Sequence, residues 1–549
     1  MPLRYPEPAA EAYRFPLIIR HLLDGVLTRA ADQRIIYRDQ ASFTYRELVE
    51  RIGRLASMLV GVGVEQGMTV AVMDWDSHRY LESFFAVPMI GAVLQTVNVR
   101  LPVPQIAYVL RHAEAKVILI HRDFFPIFEQ IRSELAVNVV VAIMDGRDEP
   151  LPPWARGEYE SRLIEADPNY PFEDLDENAV ATTFYTSGTT GQPKGVCFTH
   201  RQLVLHTLVE CGPFGTTNAV PAVGLGDVYM PLTPMFHVHA WGMPYVATML
   251  GLKQVYPGRY DFDMICALFS EHGVNYSHCV PTILELTLEA AERSQTDLTG
   301  WKMTVGGSAL SRSLYAQAMG RGMKIGVGYG MSETCPVVLK AARRSPRGAE
   351  GEEALATELM ASGISVPLVD VRICDEAMAP LPHDGQTRGE LVVRAPWLTQ
   401  CYTKDPDASD ALWRGGWMHT QDIATIDPDG TVQIRDRIKD VVKTGGEWID
   451  SIQLEQLVAA AAGVAEAAVI AVPDARWGER PLAVVVPQPR ACLTLETINC
   501  PVEQAITDGV ITRYAKLDRF VLIDQLPRTS VGKIDKKTLR ALYAEERLA

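Results

Sequence analysis

The chain has 549 residues, of which 67 are Asp or Glu and 52 are Lys or Arg, a formal net charge of −15. That length exceeds the ~250–300 residues at which one hydrophobic core stops growing, so two or more domains are expected. The acidic balance argues against broad nucleic-acid binding while allowing a local basic site, and 47% apolar with 22% charged residues is the make-up of an ordinary soluble globular protein.

The N-terminal stretch MPLRYPEPAAEAYRFPLII has prolines and acids where a targeting segment has a basic start and an apolar core. No apolar run reaches ~18 residues, so neither export nor a membrane span is expected. Residues 44–63, TYRELVERIGRLASMLVGVG, are amphipathic at the helical period, whereas MTVAVMD, AKVILIH and VNVVVAIMD read as strands. The alternation continues to about residue 435 and favours α/β layers. The nine cysteines form no C-x-x-C pair, so neither a zinc site nor a full disulfide framework is indicated, and reduced thiols in a cytoplasm are expected.

Next comes YTSGTTGQPKG, Tyr185 to Gly195, set between two strand-like runs, AVATTFYTS and GVCFT. Glycines let backbone N–H groups converge on a ligand. The hydroxyls of Thr186, Ser187, Thr189 and Thr190 add donors and Lys194 adds charge, a combination suited to a polyphosphate. A plain surface turn needs one or two glycines and gains nothing from four hydroxyls and a lysine. Pro193 stands where a Walker A loop requires glycine, so a P-loop NTPase is excluded. Thr199 is placed to cap a helix through HRQLVLHTLVE, with Val204 and Leu208, and Leu205 and Val209, each sharing a face.

His237 and His239 form H-x-H, but no Cys, Asp or third His lies nearby, which speaks against a metal. RRSPRGAEGEE, 343–353, reads as an exposed loop. After DPDGTVQIRDRIKDVV the pattern restarts, with a helix near 451–461 carrying Leu454, Leu457 and Val458 on one face and then strands AAVIAVP and PLAVVVP. A domain boundary beside Lys439 therefore divides residues 1–438 from a small α+β domain, 439–549.

The glycine loop resembles the phosphate-binding signature of the adenylate-forming superfamily of acyl-CoA synthetases, luciferases and adenylation domains. Further segments similar to that family follow in order: PMFHVHAWG, GYGMSET, GGWMHTQDIA, DRIKDVVKTGGEWID and PRTSVGK. The resemblance implies a large multi-layer α/β N-terminal domain, a small mobile α+β C-terminal domain, and activation of a carboxylic acid by ATP with Mg²⁺ before transfer to coenzyme A. For nucleotide it implies Thr186, Ser187, Gly188, Thr189, Thr190, Gly191 and Lys194 at the phosphates, Tyr329 and Gly330 at adenine, Ser332 at a phosphate oxygen, and Glu333 at Mg²⁺. Asp422 and Arg437 would take the ribose. Ser332 stands where the family usually has threonine and keeps the hydroxyl. His419 and Gln421 replace the arginine and glycine of the family's R-T-G-D.

For the acyl group the resemblance implies His237 as an aromatic wall, with Trp241, Gly306, Gly307, Ser308 and Met331 around it; His239 reads as packing. Lys533 and Lys443 are the two catalytic lysines of the resemblance, alternating about a hinge at Lys439, and Gly445 and Gly446 would let the thin arm of CoA approach the backbone. PMFHVHAWGMPY offers no aspartate to hold an α-amino group, which favours a medium-chain, short branched or ring-containing acid. Sixteen residues follow Lys533, too few for a fused carrier domain, so CoA is the expected acceptor. The alternatives are an enzyme loading a separate carrier protein and a luciferase-like oxygenase. Small-molecule partners, no nucleic acid and room for a homodimer complete the expectation.

Overall fold

The computed structural model describes residues 3–186, 192–216, 221–342, 352–529 and 532–543. Two large sheets dominate. Among the described residues, one runs Val139–Ile143, Ala115–His121, Thr69–Met73, Val93–Thr96, Val180–Tyr185 and Gly195–Thr199 across its width. Its strands are parallel except for the last, which returns antiparallel from the glycine loop. The other sheet carries Val337–Lys340, Lys324–Gly330, Lys302–Val305 and Tyr276–Cys279 as consecutive neighbours.

Between these sheets lies His78–Met89, a helix buried along its whole length because it packs on strands of both. Its polar residues are buried in partnership there, Glu82 accepting from Arg51 Nε and Arg79 donating to Asp145. By contrast Tyr45–Gly61 is two-faced, with Leu48, Ile52, Leu55 and Leu59 inward and a Thr44–Glu47 capping box satisfying its first N–H groups. The helix from His200 to Thr216 begins as its sequence indicates: Thr199 Oγ1 accepts from the Gln202 N–H while the Gln202 side chain accepts from the Thr199 N–H. Val204 and Val209 are buried, but Leu208 is 47% exposed and turns away from the face it was expected to share with Val204. The expected loop at 343–353 lies outside the described residues except for its last two, which begin the helix Glu352–Met360.

An antiparallel four-stranded sheet follows: Asp370–Cys374, Gly389–Arg394, Met418–Ile426 and Val432–Arg437. The chain then turns through residues 438–440 into a smaller C-terminal domain. Its sheet runs Glu447–Ile449, Val442–Thr444, Gly478–Pro487 and Val464–Asp474, with Phe520–Leu522 parallel to the third of these. Leu454, Val458, Ile498 and Val502 cover one apolar side and Leu526 and Leu539 the other, so this domain has its own core. It touches the larger domain through Arg388–Asp450, 2.9 Å, and through Arg528, which donates to Thr282 at 3.2 Å.

Candidate active site

Asp422 sits on Met418–Ile426 at a break in register. Glu390 pairs with Ile423 and Val392 with His419, so Leu391 alone faces Thr420, Gln421 and Asp422. Such a bulge bends a strand and re-aims its side chains. Asp422 is thereby turned toward the end of Lys324–Gly330, where the Tyr329 hydroxyl donates to its Oδ2 at 2.6 Å and Arg437 Nε lies 3.2 Å from Oδ1. Burial raises the Asp422 pKa; Arg437 and Tyr329 oppose it.

The two departures from the R-T-G-D pattern lie at the bulge. Gln421 has φ +62°, a left-handed conformation natural for glycine and unusual for glutamine. Its N–H and Nε2 both donate to Glu390 Oε1, at 3.1 and 3.2 Å, and His419 Nδ1 lies 2.9 Å from Glu390 Oε2. The other His419 nitrogen, Nε2, is 3.1 Å from the Arg414 carbonyl oxygen.

At the phosphate side, the Thr186 N–H donates to the Lys194 carbonyl at 2.9 Å and closes the base of the loop. Ser187, Gly188, Thr189, Thr190 and Gly191 lie outside the described residues. The Lys194 ammonium is 4.6 Å from the centroid of the Tyr402 ring, and the Tyr402 hydroxyl donates to Glu333 Oε1 at 2.7 Å. Glu333, in the short turn Ser332–Thr334, is buried. A carboxylate and phosphate oxygens are the donors Mg²⁺ prefers, so Glu333 is the residue that would hold it with the nucleotide. Tyr402 carries no signature of its own in the sequence and is found only through its contacts. The expected outcome for Glu333→Gln is about a tenfold loss of adenylation with every acid alike, as for one charged hydrogen-bonding group, and a requirement for more Mg²⁺. A change in preference among acids at unaltered Mg²⁺ dependence would instead place the residue in the acyl pocket.

The segment expected to form the acyl wall has an unusual backbone. After His237, residues Val238, His239, Ala240 and Trp241 have φ of +49°, +52°, +47° and +58°, and Gly242 follows at +74°. This is a left-handed turn. His239 anchors it, its ring set edge-on to those of Phe84 and Phe184 and tilted against Tyr245, the role in packing expected of it. Both of its ring nitrogens lack hydrogen-bond partners, and burial pushes its pKa down to about 3, so the neutral imidazole acts as an aromatic body. Burial, with Lys533 and Arg100 adding to it, likewise pushes His237 to about 3. Trp241 lies against the glycine turn: a Cβ at Gly306 would meet its ring at 3.1 Å. Gly307 and Ser308 are exposed beside it, and Met331 is partly buried.

Lys533 comes from the small domain into this cluster. Its Cε would be 3.6 Å from a Cβ on Gly307. Burial and nearby Arg437 push it down to about 8, while Asp422 and Glu333 act in the opposite direction. Tyr329, Asp422, Arg437, Glu333, His237, Gly307 and Lys533 therefore converge. Lys443, Gly445 and Gly446 do not: they occupy a two-residue hairpin whose glycines have φ +58° and +88°, as a tight type I′ turn requires. There the Lys443 ammonium is 5.4 Å from the Trp448 ring centroid and the side chain is exposed. Lys439 is exposed within the turn closed by the Asp440 N–H and the Arg437 carbonyl, 2.9 Å.

Among known proteins, the family described as AMP-binding enzyme matches residues 24–403, more than half of the chain, and its C-terminal domain matches residues 453–533. A long-chain-fatty-acid–CoA ligase of Thermus thermophilus is 41% identical over 504 residues, 91% of this chain and 90% of that protein. A 3-methylmercaptopropionyl-CoA ligase of Ruegeria pomeroyi is 36% identical over 91% of each chain. A medium-chain-fatty-acid–CoA ligase of Ectopseudomonas oleovorans is 34% identical over 91% of this chain and 90% of that one. In fold, the chain matches ATP-bound MatB from Rhodopseudomonas palustris with a TM-score of 0.81 at 24% identity, over 97% and 99% of the two chains.

Proposed function

The chain belongs to the AMP-binding enzyme family and is an AMP-forming acyl-CoA ligase, and from that premise we propose how its residues divide the reaction and which acids it takes. A carboxylate attacks the α-phosphorus of ATP and pyrophosphate leaves. The thiol of CoA then attacks the activated carbonyl and AMP leaves. Thr186, Lys194 and the intervening loop hold the outer phosphates. Glu333 holds Mg²⁺, which when bound neutralises phosphate charge, and Ser332 faces a phosphate oxygen. Tyr329 and Gly330 border the adenine, and Asp422 with Arg437 takes the ribose. Lys533 sets a cation between the carboxylate and the α-phosphate, where negative charge builds as the bond forms.

The observation carrying this reading is the convergence of Lys533, from the small domain, with Asp422, Glu333 and His237 of the large one. It describes an arrangement suited to adenylation. The hairpin of Lys443, Gly445 and Gly446 belongs to a second arrangement, reached by rotation about Lys439 between domains 1–438 and 439–549, in which it meets CoA. Lys443→Ala is accordingly expected to leave acyl-adenylate formation intact and slow its conversion to thioester about tenfold, the worth of one charged hydrogen bond. Equal loss in the two half-reactions would remove the hairpin from the CoA site.

The acyl wall of His237, Trp241, Gly306, Gly307, Ser308 and Met331 offers apolar surface and no carboxylate for an amine. Medium-chain, short branched or ring-containing acids fit it. Of the relatives named above, the medium-chain-fatty-acid–CoA ligase falls within that range, whereas the long-chain-fatty-acid–CoA ligase, at higher identity, lies outside it, so long-chain acids belong on the test panel too. The test is incubation with ATP, Mg²⁺ and a panel of carboxylic acids, with and without CoA, following AMP and acyl-CoA. CoA-dependent thioester formation greatest for acids of this range is expected. Preference for amino acids would overturn the reading of the pocket.

A further inference from the structure

We propose that Glu390 is a positioning residue for ATP binding: its carboxylate pins the strand bulge at Thr420–Asp422 so that Asp422 meets the ribose. This rests on the assignment of Asp422 to the ribose made above.

The geometry is specific. One carboxylate oxygen of Glu390 accepts both hydrogens offered by Gln421, from backbone and side chain, and the other faces His419 at 2.9 Å. The Glu390 side chain is 12% exposed and that of His419 2%, so solvent competes little for the bond between them, whereas Gln421 itself is exposed. Between the two pinned residues, the Thr420 hydroxyl donates to the Leu391 carbonyl at 2.7 Å and accepts from the Asp422 N–H at 3.1 Å. Downstream, the Gln421 carbonyl accepts from the Ile438 N–H at 3.0 Å, which ties the bulge to the turn containing Lys439. The bonds made by Gln421 are formed with its backbone at φ +62°.

A glutamine does not stay there unaided, because its Cβ crowds the backbone in the left-handed region. Glycine enters that region at no steric cost. The two bonds to Glu390 Oε1 supply what glutamine lacks, and His419, fixed at both ring nitrogens, anchors the strand just before it. Asp422, one residue beyond Gln421, inherits the direction of the bulge. If the pinning is lost, Gln421 relaxes to negative φ and Asp422 swings out of line with Tyr329 and Arg437. The acyl site, built from other segments, is untouched.

ATP binding is measured by calorimetry on the full-length protein with Mg²⁺ and without any acid, so that no chemistry occurs, and steady-state constants are measured separately. For Glu390→Ala, ATP affinity is expected to fall about tenfold, as for loss of a charged hydrogen-bond acceptor, with kcat at saturating ATP and KM for the acid within about twofold of the parent. Glu390→Gln, which keeps an acceptor for the Gln421 N–H, is expected to recover a substantial part of the loss. Gln421→Gly in the Glu390→Ala background is expected to restore most of it, because glycine needs no clamp. Unchanged ATP affinity in Glu390→Ala, equal losses in ATP and acid constants, or no recovery on adding Gln421→Gly would each overturn the proposal. Should Glu390→Ala fail to fold, Glu390→Gln with and without Gln421→Gly decides by the same recovery. Asp422→Ala is the parallel control: if it binds ATP as the parent does, the ribose assignment fails, whereas weak binding there with normal binding in Glu390→Ala refutes the clamp alone.

Discussion

Lys533→Ala is expected to slow acyl-adenylate formation by about 100-fold or more, the range for removing one preorganised electrostatic group, while leaving supplied acyl-adenylate and CoA able to form thioester. The Cε of the Lys533 side chain lies against Gly307, with Asp422 and Glu333 close enough to affect its charge. A pH signature accompanies the mutation. Lys533 acts as a cation and is pushed down to about 8, so the protonated form prevails below that pH and is lost above it. The kcat/KM for adenylation should therefore fall as pH rises through that value, and the falling limb should be absent from the thioester half-reaction. Both half-reactions declining together, by mutation or by pH, would argue against a lysine that serves only the first.

Asp422→Ala should weaken ATP by about 100-fold or more, since two hydroxyls each donating to a charged acceptor contribute ~1.5–3 kcal/mol apiece. The same carboxylate now accepts from Tyr329 and pairs with Arg437, both of which would lose this partner in the variant. Asp422→Asn is the milder companion, keeping one oxygen for Tyr329. Titration of ATP against each variant gives the measurement, with thermal unfolding run alongside. Unchanged affinity in Asp422→Ala with a lowered melting temperature would assign the residue to the fold alone.

The strands and helices visible in the sequence are those whose side chains obey one period. AKVILIH and VNVVVAIMD are buried on both faces and became Ala115–His121 and Val139–Ile143. TYRELVERIG carries its cap and its apolar stripe openly and became the helix from Tyr45. Leu208 was misplaced because a helix buried over most of its circumference leaves little periodic contrast to read. In the site, Asp422, Glu333 and Lys533, which the structure brings together, were singled out because each stands inside a segment resembling a family motif. Tyr402 and Glu390 were not, since their importance comes from side chains met across the fold, 69 residues away in the case of Tyr402 and Glu333 and 29 for His419 and Glu390. Nor did anything in Gln421 or Val238 announce positive φ, because the residue types that adopt it freely are glycine and asparagine.

If Trp241 borders the acyl group as proposed above, the turn from Val238 to Trp241 bears on how acids are chosen. Left-handed geometry costs roughly 1–2 kcal/mol for each L-residue, so four in a row oppose folding by an amount comparable to a domain's whole net stability. A glycine-rich segment could follow the same path with less strain, but it would be loose and would leave the indole of Trp241 free to shift. With β-branched Val238 and the caged ring of His239 in the turn, the indole is held as firmly as the backbone beneath it. On the acyl-pocket assignment proposed above, a mould of that stiffness would discriminate by refusal: an acid too wide for it would find no give in the wall, and selectivity would be set before any bond began to form.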